Sequence, residues 1–386
     1  MAKLHSLGII STEEEDDRVV NKLRLRSQLK AFGTDHIGLT LLPTMACNLK
    51  CPYCFEREKH PGCMTEETCA KVADFIKGHE SATKLSLTWF GGEPMVGYKV
   101  MEPFLDKIHD LERIKLVWHG MATNGTLLTE ERWGVFEKYP LNHIQITLDG
   151  NRQTHDQRRV RHDGTGTYDE ITRNMKAFVE RFPETSLSVR VNIDRNNACE
   201  FMQVYDSLKE LLGDKKNLYV YPGILSSCGG KVEDTPFLTN KEAAELRNEF
   251  VRKGYSVSYP RFNAGGCTAT NISSYVIGPQ GEIYKCWEDV GDPKWVVGNV
   301  TDKKYTNEEL LEDYLLFGSN INDPNCWKCP MLPVCENICA RRRIEKLCFG
   351  ANNELCNLPN EKAAMEDMLY EYYKAKQNGS LKGCGA

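Results

Sequence analysis

The sequence predicts an α/β fold, in which a curved parallel sheet is followed by a cysteine-rich region. Apolar period-two runs alternate with helical patterns as far as about residue 225, which is typical of βαβ units. The predicted strands are polar on one face, and nine of the sixteen cysteines lie from Cys267 onward. A flat two-layer sheet could expose its polar face to water. Strands flanked only by helices instead favour a full or partial barrel, with the polar face lining a cavity.

The elements follow in order. Residues 1 to 36 are polar and charged, and we interpret them as an N-terminal extension. Strands are then predicted at His36–Leu42, Lys84–Phe90, Ile114–His119, His143–Asp149, Leu187–Asp194 and Leu218–Tyr221. Helices between them are indicated by apolar residues at helical spacing, such as Cys69, Val72, Ala73 and Ile76.

One strand shows the two faces clearly. Within Leu187–Asp194, leucine, valine and isoleucine alternate with Ser188, Arg190 and Asn192. Because successive side chains of a strand point to opposite faces, the apolar set should pack on helices and the polar set should face the cavity. Arg190 is therefore predicted to point inward.

The pattern changes after about residue 225. TNKEAAELRNEFVRK reads as a capped helix, and SSYVIGPQGEIYKCW reads as a hairpin with a Gly-Pro-Gln-Gly turn. The segment from Cys267 to Cys356 has few long apolar elements, so we expect bound metal to stabilise it. Residues 359 to 376 predict a closing helix, and the tail after it should be frayed.

Composition excludes several classes of protein. The 386 residues are 41% hydrophobic and 27% charged, which is unlike a disordered chain. A net charge of −5 argues against nucleic acid or an anionic membrane as a partner. The N-terminus lacks a signal peptide's apolar core, and no apolar run is long enough to cross a bilayer. We therefore expect a cytoplasmic protein, whose cysteines bind metal or do chemistry rather than form disulfides.

The first cysteine cluster follows the first predicted strand. Cys47, Cys51 and Cys54 have the spacing C-x3-C-x2-C. Three thiolates for four irons would leave one iron of an iron-sulfur cluster open to bind a further ligand. The alternative is a zinc site, but zinc takes four ligands and its usual pattern is paired C-x2-C.

This spacing, with Tyr53 before the third cysteine, resembles the signature of the radical S-adenosylmethionine (SAM) superfamily. The resemblance implies a partial (β/α)6 barrel and a 4Fe-4S cluster whose open iron binds the amino and carboxylate groups of SAM. In that family an electron from the cluster cleaves SAM to methionine and a 5′-deoxyadenosyl radical. The radical then abstracts a hydrogen atom from the substrate.

The resemblance also implies cofactor-binding residues. Gly91-Gly92-Glu93-Pro94 matches the family's GGEP motif, which offers acceptors to the methionine ammonium group. The other residues implied as cofactor contacts are Tyr53, Thr123, Asn124, Thr147, Asp149, Arg159 and Arg190. Of these, Tyr53 would flank the adenine, and Arg159 or Arg190 would face the carboxylate. The alternatives are aromatic packing for Tyr53, a simple turn at Asp149-Gly150 and a surface charge at Arg159.

A second set of cysteines has a more specific spacing. Cys267 and Gly281-x4-Cys286 precede Cys326-x2-Cys329-x5-Cys335-x3-Cys339, and Cys356 follows. The pattern resembles the seven-cysteine SPASM domain, which carries two auxiliary 4Fe-4S clusters. By that resemblance the outer cluster is held by Cys326, Cys329, Cys335 and Cys356. The inner cluster is held by Cys267, Cys286 and Cys339.

The fourth ligand of the inner cluster stays open. Cys228 and Cys348 are candidates, although neither has a matching spacing, and Cys348 could instead replace Cys356. Without such a ligand, an open iron could bind a substrate thiolate or take an electron from a substrate radical. The remaining cysteines are interpreted as free thiols: Cys63, Cys69, Cys199 and Cys384.

The resemblance divides the chain into five parts. They are an N-terminal extension (1–36), a radical SAM core barrel (37–225), a bridging region (226–265), a SPASM domain (266–358) and a C-terminal helix and tail (359–386). SPASM enzymes typically modify side chains in peptides or proteins. The implied partners are thus a precursor peptide or protein and a flavodoxin- or ferredoxin-type electron donor. Because the first 36 residues are short for a leader-binding domain, leader recognition would need a separate leader-peptide-binding protein or the barrel mouth itself.

Two branches of enzyme remain, together with one other class. Sulfatase-maturing enzymes, which convert cysteine or serine to formylglycine, have an aspartate near the inner-cluster cysteine as a proposed base. Here Trp287 follows Cys286, which favours a maturase that forms thioether or carbon-carbon crosslinks in a ribosomally made precursor peptide. Glu288 or Asp289 is the candidate base, unless this acidic pair faces solvent. The other class is a non-catalytic iron-sulfur electron carrier or zinc-ribbon module, which has no use for an open iron and a GGEP motif together.

Overall fold

The structure is a computed structural model. It describes residues 11–54, 56, 62–213, 215–225, 236–255, 267–302, 305–335, 339–352, 355–356 and 362–377. The predictions for Cys228 and Cys384 lie outside these residues.

A parallel sheet organises the first part of the chain. Its strands are β1 (His36–Leu41), β2 (Lys84–Trp89), β3 (Lys115–Thr123), β4 (His143–Leu148), β5 (Ser186–Ile193) and β6 (Leu218–Ile224). Each strand pairs in parallel with the next one along the chain. Parallel neighbours require a crossover, and helices supply it in each case. The predicted α/β fold, a partial (β/α)6 barrel, is confirmed.

The helices lie where apolar spacing and capping residues indicate. They are α1 (Glu13–Ala31), α2 (Glu66–Lys77), α3 (Met101–His109), α4 (Gly134–Lys138), α5 (Arg152–Arg158), α6 (Tyr168–Arg181), α7 (Phe201–Leu212), α8 (Asn240–Arg252), α9 (Glu308–Phe317), α10 (Ala340–Phe349) and α11 (Lys362–Gln377). The predicted capped helix is α8, whose capping box joins Thr239 and Glu242. The predicted closing helix is α11.

The two faces of the sheet differ as predicted. In β5, Leu187, Val189 and Val191 are buried against the helices, whereas Ser188 and Arg190 on the other face stay partly exposed. The apolar face belongs to one continuous hydrophobic core that includes the inner stripes of α2, α3, α6 and α7. The polar face is therefore free to line a site.

Strand β3 differs from its prediction. It continues four residues beyond the predicted end at His119, to Thr123. Gly120 and Ala122 are small, and they interrupt the apolar alternation by which the sequence reveals a strand. A bulge near its start skips Val117, because Leu116 pairs with Leu85 and Trp118 pairs with Ser86.

The predicted hairpin is present but has an unexpected neighbour. Strands β7 (Ser274–Ile277) and β8 (Glu282–Tyr284) are antiparallel, and β9 (Gly298–Asn299) pairs with β8. Strand β7 also pairs in parallel with β1, so the described sheet has the order β6-β5-β4-β3-β2-β1-β7-β8-β9. The cysteine-rich region thus continues the sheet of the barrel.

The N-terminal helix α1 also contacts the cysteine-rich region. Its buried Leu23 packs against Ile321 and Leu332, and the Arg24 guanidinium lies 4.2 Å from the centre of the Trp327 ring. The helix ends at the sheet, where the Ile272 amide donates to the Ala31 carbonyl at 2.8 Å. Helix α1, the described helix of the segment predicted as an extension, is therefore docked on the rest of the chain. No helix in the described part of the chain is both long and apolar enough to span a bilayer.

Candidate functional site

The predicted site residues gather at one edge of the sheet. The cysteine loop follows β1, the Gly-Gly-Glu-Pro turn follows β2, and Thr123-Asn124 ends β3. Asp149 follows β4, and Asn192 lies near the end of β5. The carboxyl ends of parallel strands are the usual ligand-binding edge of such folds. Residues that are far apart in sequence thereby meet at one place.

Two glycines allow the Gly-Gly-Glu-Pro turn to lie directly on the cysteine loop. Gly91 has a φ of +121°, and a Cβ atom there would lie 2.2 Å from the Thr44 carbonyl oxygen. A Cβ atom at Gly92 would lie 2.4 Å from the Met45 carbonyl oxygen. The Glu93 amide donates to the Ala46 carbonyl at 3.0 Å. Larger residues would push the two loops apart.

The Glu93 carboxylate joins the ends of β2 and β3. It is fully buried and accepts from the Thr123 hydroxyl at 2.7 Å and from the Asn124 amide at 2.7 Å. It also accepts from the Met95 amide at 3.0 Å. Burial raises the pKa of Glu93, while these hydrogen bonds oppose the increase. These three hydrogen bonds fix the carboxylate between the ends of β2 and β3.

Asn124, which donates to the Glu93 carboxylate, also contacts the cysteine loop. Its side-chain amide donates to the side-chain oxygen of Asn48 at 2.9 Å and lies 3.9 Å from the Cys47 sulfur. Asn48 in turn donates to the Thr126 hydroxyl at 2.8 Å. Sequence reasoning missed Asn48, although its position next to Cys47 was a signal. These contacts hold the loop against the end of β3.

The three cysteine thiols are close enough to affect each other electrostatically. Burial raises the pKa of Cys47 to about 12 and that of Cys54 to about 11, and charge on Cys51 adds to the increase at both. Burial also raises the pKa of Cys51, which Arg159 opposes. Thiolates in such a trio need a cationic partner, which the irons of a cluster supply. The donor set therefore fits an iron-sulfur cluster.

A buried ionic network lies beside Cys51. The carboxylate of Asp149 is fully buried, 3.2 Å from Nε of Arg158 and 3.6 Å from Nη1 of Arg159. Arg158 also pairs with Asp194 at 2.8 Å. Burial raises the pKa of Asp149, and the two guanidinium groups oppose this. Arg158, which sequence reasoning did not select, holds the ends of β4 and β5 together.

Arg159 and Tyr53 meet at the same place. Nη1 of Arg159 donates to the Tyr53 hydroxyl at 3.0 Å, and the Asn192 amide donates to it at 3.3 Å. Nε of Arg159 is buried and has no hydrogen-bond partner among the described residues. A carboxylate ligand would satisfy such a donor. The reading of Arg159 as a surface charge is wrong, because the side chain is buried.

Arg190 and Thr147 lie on the inner face of the sheet. Nε of Arg190 donates to Asn192 at 2.9 Å, and both Arg190 and Thr147 are partly exposed. Gly223 of β6 makes room for Arg190, because a Cβ atom there would lie 2.3 Å from its Nε. Arg190 thus points to the cavity side, as the strand alternation predicts.

The cysteine-rich region has two groups of neighbouring thiols. Cys286 and Cys339 lie near each other, as charge on Cys339 raises the pKa of Cys286, after the larger effects of burial and the acidic residues nearby. Cys326 is influenced in the same way by Cys335 and Cys329. The division of these cysteines between an inner and an outer cluster stays a prediction. Among the described residues, no three His, Cys, Asp or Glu side chains are grouped so as to hold a single metal ion.

Asp289 is an anchor in this structure. It is fully buried, accepts from Nε of Arg341 at 2.7 Å and accepts from the Tyr314 hydroxyl at 2.7 Å. Glu288 lies 3.8 Å from Nη1 of Arg341. The alternative that this acidic pair faces solvent is wrong for Asp289. The role of either residue as a base stays a prediction.

The two neighbours of Cys286 in sequence have surroundings that the sequence does not reveal. Lys285 is fully buried, and burial lowers its pKa to about 7. Trp287 is 40% exposed, and its ring lies 5.6 Å from that of Phe90, which directly precedes Gly91. No sequence spacing indicates these contacts, because they join segments almost 200 residues apart. They connect the cofactor turn to the inner cysteine set.

The remaining cysteines are dispersed. Cys69 is buried in α2, whereas Cys63 and Cys199 are exposed. Cys348 lies on α10, exposed and hydrogen-bonded to Asp313. The interpretation of Cys63, Cys69 and Cys199 as free thiols stays a prediction. So does the candidacy of Cys348 as the fourth ligand of the inner cluster.

Comparison with known proteins agrees with this geometry. Residues 41–208 match the family model described as the Radical SAM superfamily. The cysteine-type anaerobic sulfatase-maturating enzyme of Clostridium perfringens is 24% identical over 345 residues, covering 80% of this chain and 90% of the relative. The radical SAM cyclopropyl synthase TigE of Paramaledivibacter caminithermalis is 24% identical over 379 residues, covering 86% and 72%. The serine-type anaerobic sulfatase-maturating enzyme of Bacteroides thetaiotaomicron is 27% identical over 358 residues, covering 80% and 84%.

Solved structures share the fold. The structure described as native anSMEcpe with bound AdoMet and Cp18Cys peptide has a TM-score of 0.66 at 20% identity, covering 89% of this chain and 98% of that one. Streptococcus suis SuiB bound to precursor peptide SuiA has a TM-score of 0.57 at 15% identity, covering 92% and 82%.

These observations define the class: the chain is an enzyme with a radical SAM domain, which lies within the matched residues 41–208. Non-catalytic electron transfer is thereby set aside as its main role. The family supports SAM and a 4Fe-4S cluster as cofactors. More particularly, the chain resembles the SPASM-type maturases, in which a cysteine-rich region follows the radical SAM domain.

Proposed function

We propose that the enzyme modifies a ribosomally made precursor peptide by abstracting a hydrogen atom, and that the product is a thioether or carbon-carbon crosslink. The observation that carries this choice is the place of Trp287. A half-exposed indole directly after Cys286 packs on Phe90, where the sulfatase branch is expected to have a carboxylate. The nearest acid that follows, Glu288, and the buried Asp289 are both drawn to Arg341.

Three cysteine sets would hold the clusters. Cys47, Cys51 and Cys54 would hold the radical SAM cluster. The outer auxiliary cluster would be held by Cys326, Cys329, Cys335 and Cys356, and the inner one by Cys267, Cys286 and Cys339. When bound, the radical SAM cluster would supply the electron that cleaves SAM to methionine and a 5′-deoxyadenosyl radical, and an auxiliary cluster would accept the electron that the substrate radical loses.

The chain's own residues would bind and orient SAM. The Gly91-Gly92-Glu93-Pro94 turn would offer acceptors to its ammonium group, and the hydrogen bonds of Glu93 to Thr123 and Asn124 would hold that turn in place. Arg159 would donate its unpartnered Nε–H to the SAM carboxylate. Thr147, Asp149 and Arg190 would line the ribose and substrate side, and Tyr53 would flank the adenine. Each role follows from position at the carboxyl edge of the sheet.

Conversion of a cysteine or serine to formylglycine is the second candidate. It is supported by the two anaerobic sulfatase-maturating enzymes among the relatives. The peptide reading is supported by the fold shared with SuiB, whose structure is described as bound to a precursor peptide. We also propose a cytoplasmic location, a flavodoxin- or ferredoxin-type electron donor, a separate leader-binding protein and the five-part domain division given above.

The test uses the full chain reconstituted anaerobically with iron and sulfide. With SAM and dithionite alone, we expect 5′-deoxyadenosine to form slowly. With a peptide encoded beside the gene, its formation should be faster, and the peptide should lose two hydrogen atoms without gaining an aldehyde. Mass spectrometry and a hydrazide probe for aldehydes check both statements.

Two outcomes would count against the proposal. An aldehyde at a cysteine or serine of a sulfatase peptide would favour the second candidate. Intact clusters without any 5′-deoxyadenosine would contradict SAM cleavage itself.

A further inference from the structure

Lys285 is a buried cation in the cysteine-rich region, directly before Cys286. Its side chain is fully buried, and Nζ donates to the carbonyl oxygens of Asn271 and Ser274, each at 2.6 Å. Nζ also lies 5.3 Å from the centre of the Tyr275 ring. The two carbonyl groups and the aromatic ring carry no net charge. They therefore orient the ammonium group but do not neutralise its positive charge.

The other buried cations of this region do have acidic partners. Arg341 pairs with Asp289 at 2.7 Å and with Glu345 at 2.9 Å. Arg343 pairs with Asp323 at 2.7 Å. Within the described residues, Lys285 makes no ion pair with a carboxylate. An isolated buried charge is costly, so an anion should be expected close by.

The groups beside Lys285 that a bound cluster would make anionic are cysteine thiols. Cys286 is its neighbour in sequence, and Cys267 begins the short turn that ends at Asn271, whose carbonyl oxygen accepts from Nζ. Both cysteines belong to the set proposed above for the inner cluster. A 4Fe-4S cluster with thiolate ligands carries net negative charge, and nearby charge is one determinant of its reduction potential.

We propose that the Lys285 ammonium group is the counter-ion of the inner auxiliary cluster and raises its reduction potential. Reduction adds one negative charge to the cluster, and a fixed positive charge at short range stabilises the reduced form. Lys285 is thus a positioning and tuning residue, which favours acceptance of the electron left by a substrate radical. This inference rests on the auxiliary clusters of the proposed function.

The experiment is a redox titration of the reconstituted full chain, followed by electron paramagnetic resonance and iron analysis. Three variants are compared: Lys285→Met removes the charge, Lys285→Arg keeps it, and Lys294→Met is the control. Lys294 is largely exposed and pairs with Asp292. At the potential where the wild-type inner cluster is half reduced, Lys285→Met should lower the ratio of reduced to oxidised cluster about tenfold, which is ~59 mV for one electron. Lys285→Arg and Lys294→Met should leave the ratio nearly unchanged.

A purely structural role would not move the potential. Unchanged potentials in Lys285→Met, or equal shifts in Lys285→Met and Lys285→Arg, would overturn the inference. If Lys285→Met loses auxiliary iron, retention of that iron by Lys285→Arg supports a requirement for charge, whereas loss in both variants contradicts it. A wild-type chain without auxiliary iron would refute the auxiliary clusters themselves, and the inference with them.

Discussion

The two ends of the sheet are stabilised in different ways. Strands β1 to β6 bury one apolar face against helices, and residues such as Leu87, Ile146 and Val189 are fully buried there. Around β7 to β9 the elements are short, and buried charged groups such as Lys285, Asp289 and Arg343 lie among them. In the barrel, by contrast, the buried carboxylates Glu93 and Asp149 lie at the carboxyl edge, where the cofactor is expected. Buried charged groups thus lie at the candidate site in the barrel, whereas in the cysteine-rich region they lie among the structural elements.

The largest expected effect separates chemistry from folding. Replacing Cys47, Cys51 and Cys54 together with Ala should abolish 5′-deoxyadenosine formation, because these are the three thiols proposed to hold the radical SAM cluster. The barrel should fold as before, since none of the three cysteine side chains belongs to its hydrophobic core. Chromatographic detection of 5′-deoxyadenosine and thermal melting measure the two effects. Loss of all iron in this variant would contradict separate cluster sites.

The cysteine-rich region should respond in the opposite way. Cys329→Ala with Cys335→Ala removes two ligands of the proposed outer cluster, and metal ligation contributes directly to folding. We expect a loss of roughly 3 kcal/mol or more in its free energy of unfolding. Limited proteolysis should show early cleavage after about residue 320. Unchanged melting and proteolysis would show that the region folds without metal.

The next effect concerns the buried ion pair of Asp289. Asp289→Ala leaves Arg341 partly uncompensated and removes the acceptor of Tyr314, so we expect a cost of about 3–5 kcal/mol. The matched control is Glu249→Ala, which breaks a largely exposed pair with Lys253 and should cost less than about 1 kcal/mol. Chemical denaturation measures both. Equal costs would mean that Asp289 is not a structural anchor.

A smaller effect tests the contact between the cofactor turn and the cysteine loop. Gly92→Ala places a Cβ atom against two carbonyl oxygens, so we expect a loss of about 1–3 kcal/mol and at least a roughly tenfold slower cleavage of SAM. Gly134→Ala is the control, because no atom lies within 4 Å of its added Cβ in α4. That variant should be neutral or slightly stabilising. Full activity of Gly92→Ala would show that the loops tolerate separation.

The last effect, which is small near neutral pH, is a pH dependence within the barrel core. Nε2 of the buried His119 accepts from the Trp89 indole at 2.8 Å, and burial lowers the pKa of His119 from 6.5 to about 4. Between these values the unfolded chain binds a proton that the folded chain does not. Stability should therefore fall as the pH drops from 6.5 towards 4, by at most about 1.4 kcal/mol per pH unit from this residue. His119→Gln should flatten the slope, and His109→Gln, an exposed control, should not.

Local patterns predicted the elements and the edge of the site, but not the partners across the sheet. Strand alternation located β5 and the inward direction of Arg190, and motif spacing located the turn after β2. The pairing of β7 with β1 and the docking of α1 depend on residues more than 200 positions apart, for which periodicity carries no signal. The same holds for the hydrogen bonds that Glu93 accepts from Thr123 and Asn124, and for those that Asp289 accepts from Tyr314 and Arg341. In each case the fold brings together a carboxylate and donors that are distant in sequence.

The pairing of β7 with β1 has a consequence for biosynthesis. Strand β1 leaves the ribosome more than 230 residues before β7, so one of its edges has no hydrogen-bonding neighbour while most of the chain is made. An open strand edge invites aggregation. Truncation before residue 274 would leave that edge permanently bare, and the barrel should then be recovered poorly when it is expressed alone. The barrel therefore needs the last third of the chain, which contains β7, to remain soluble.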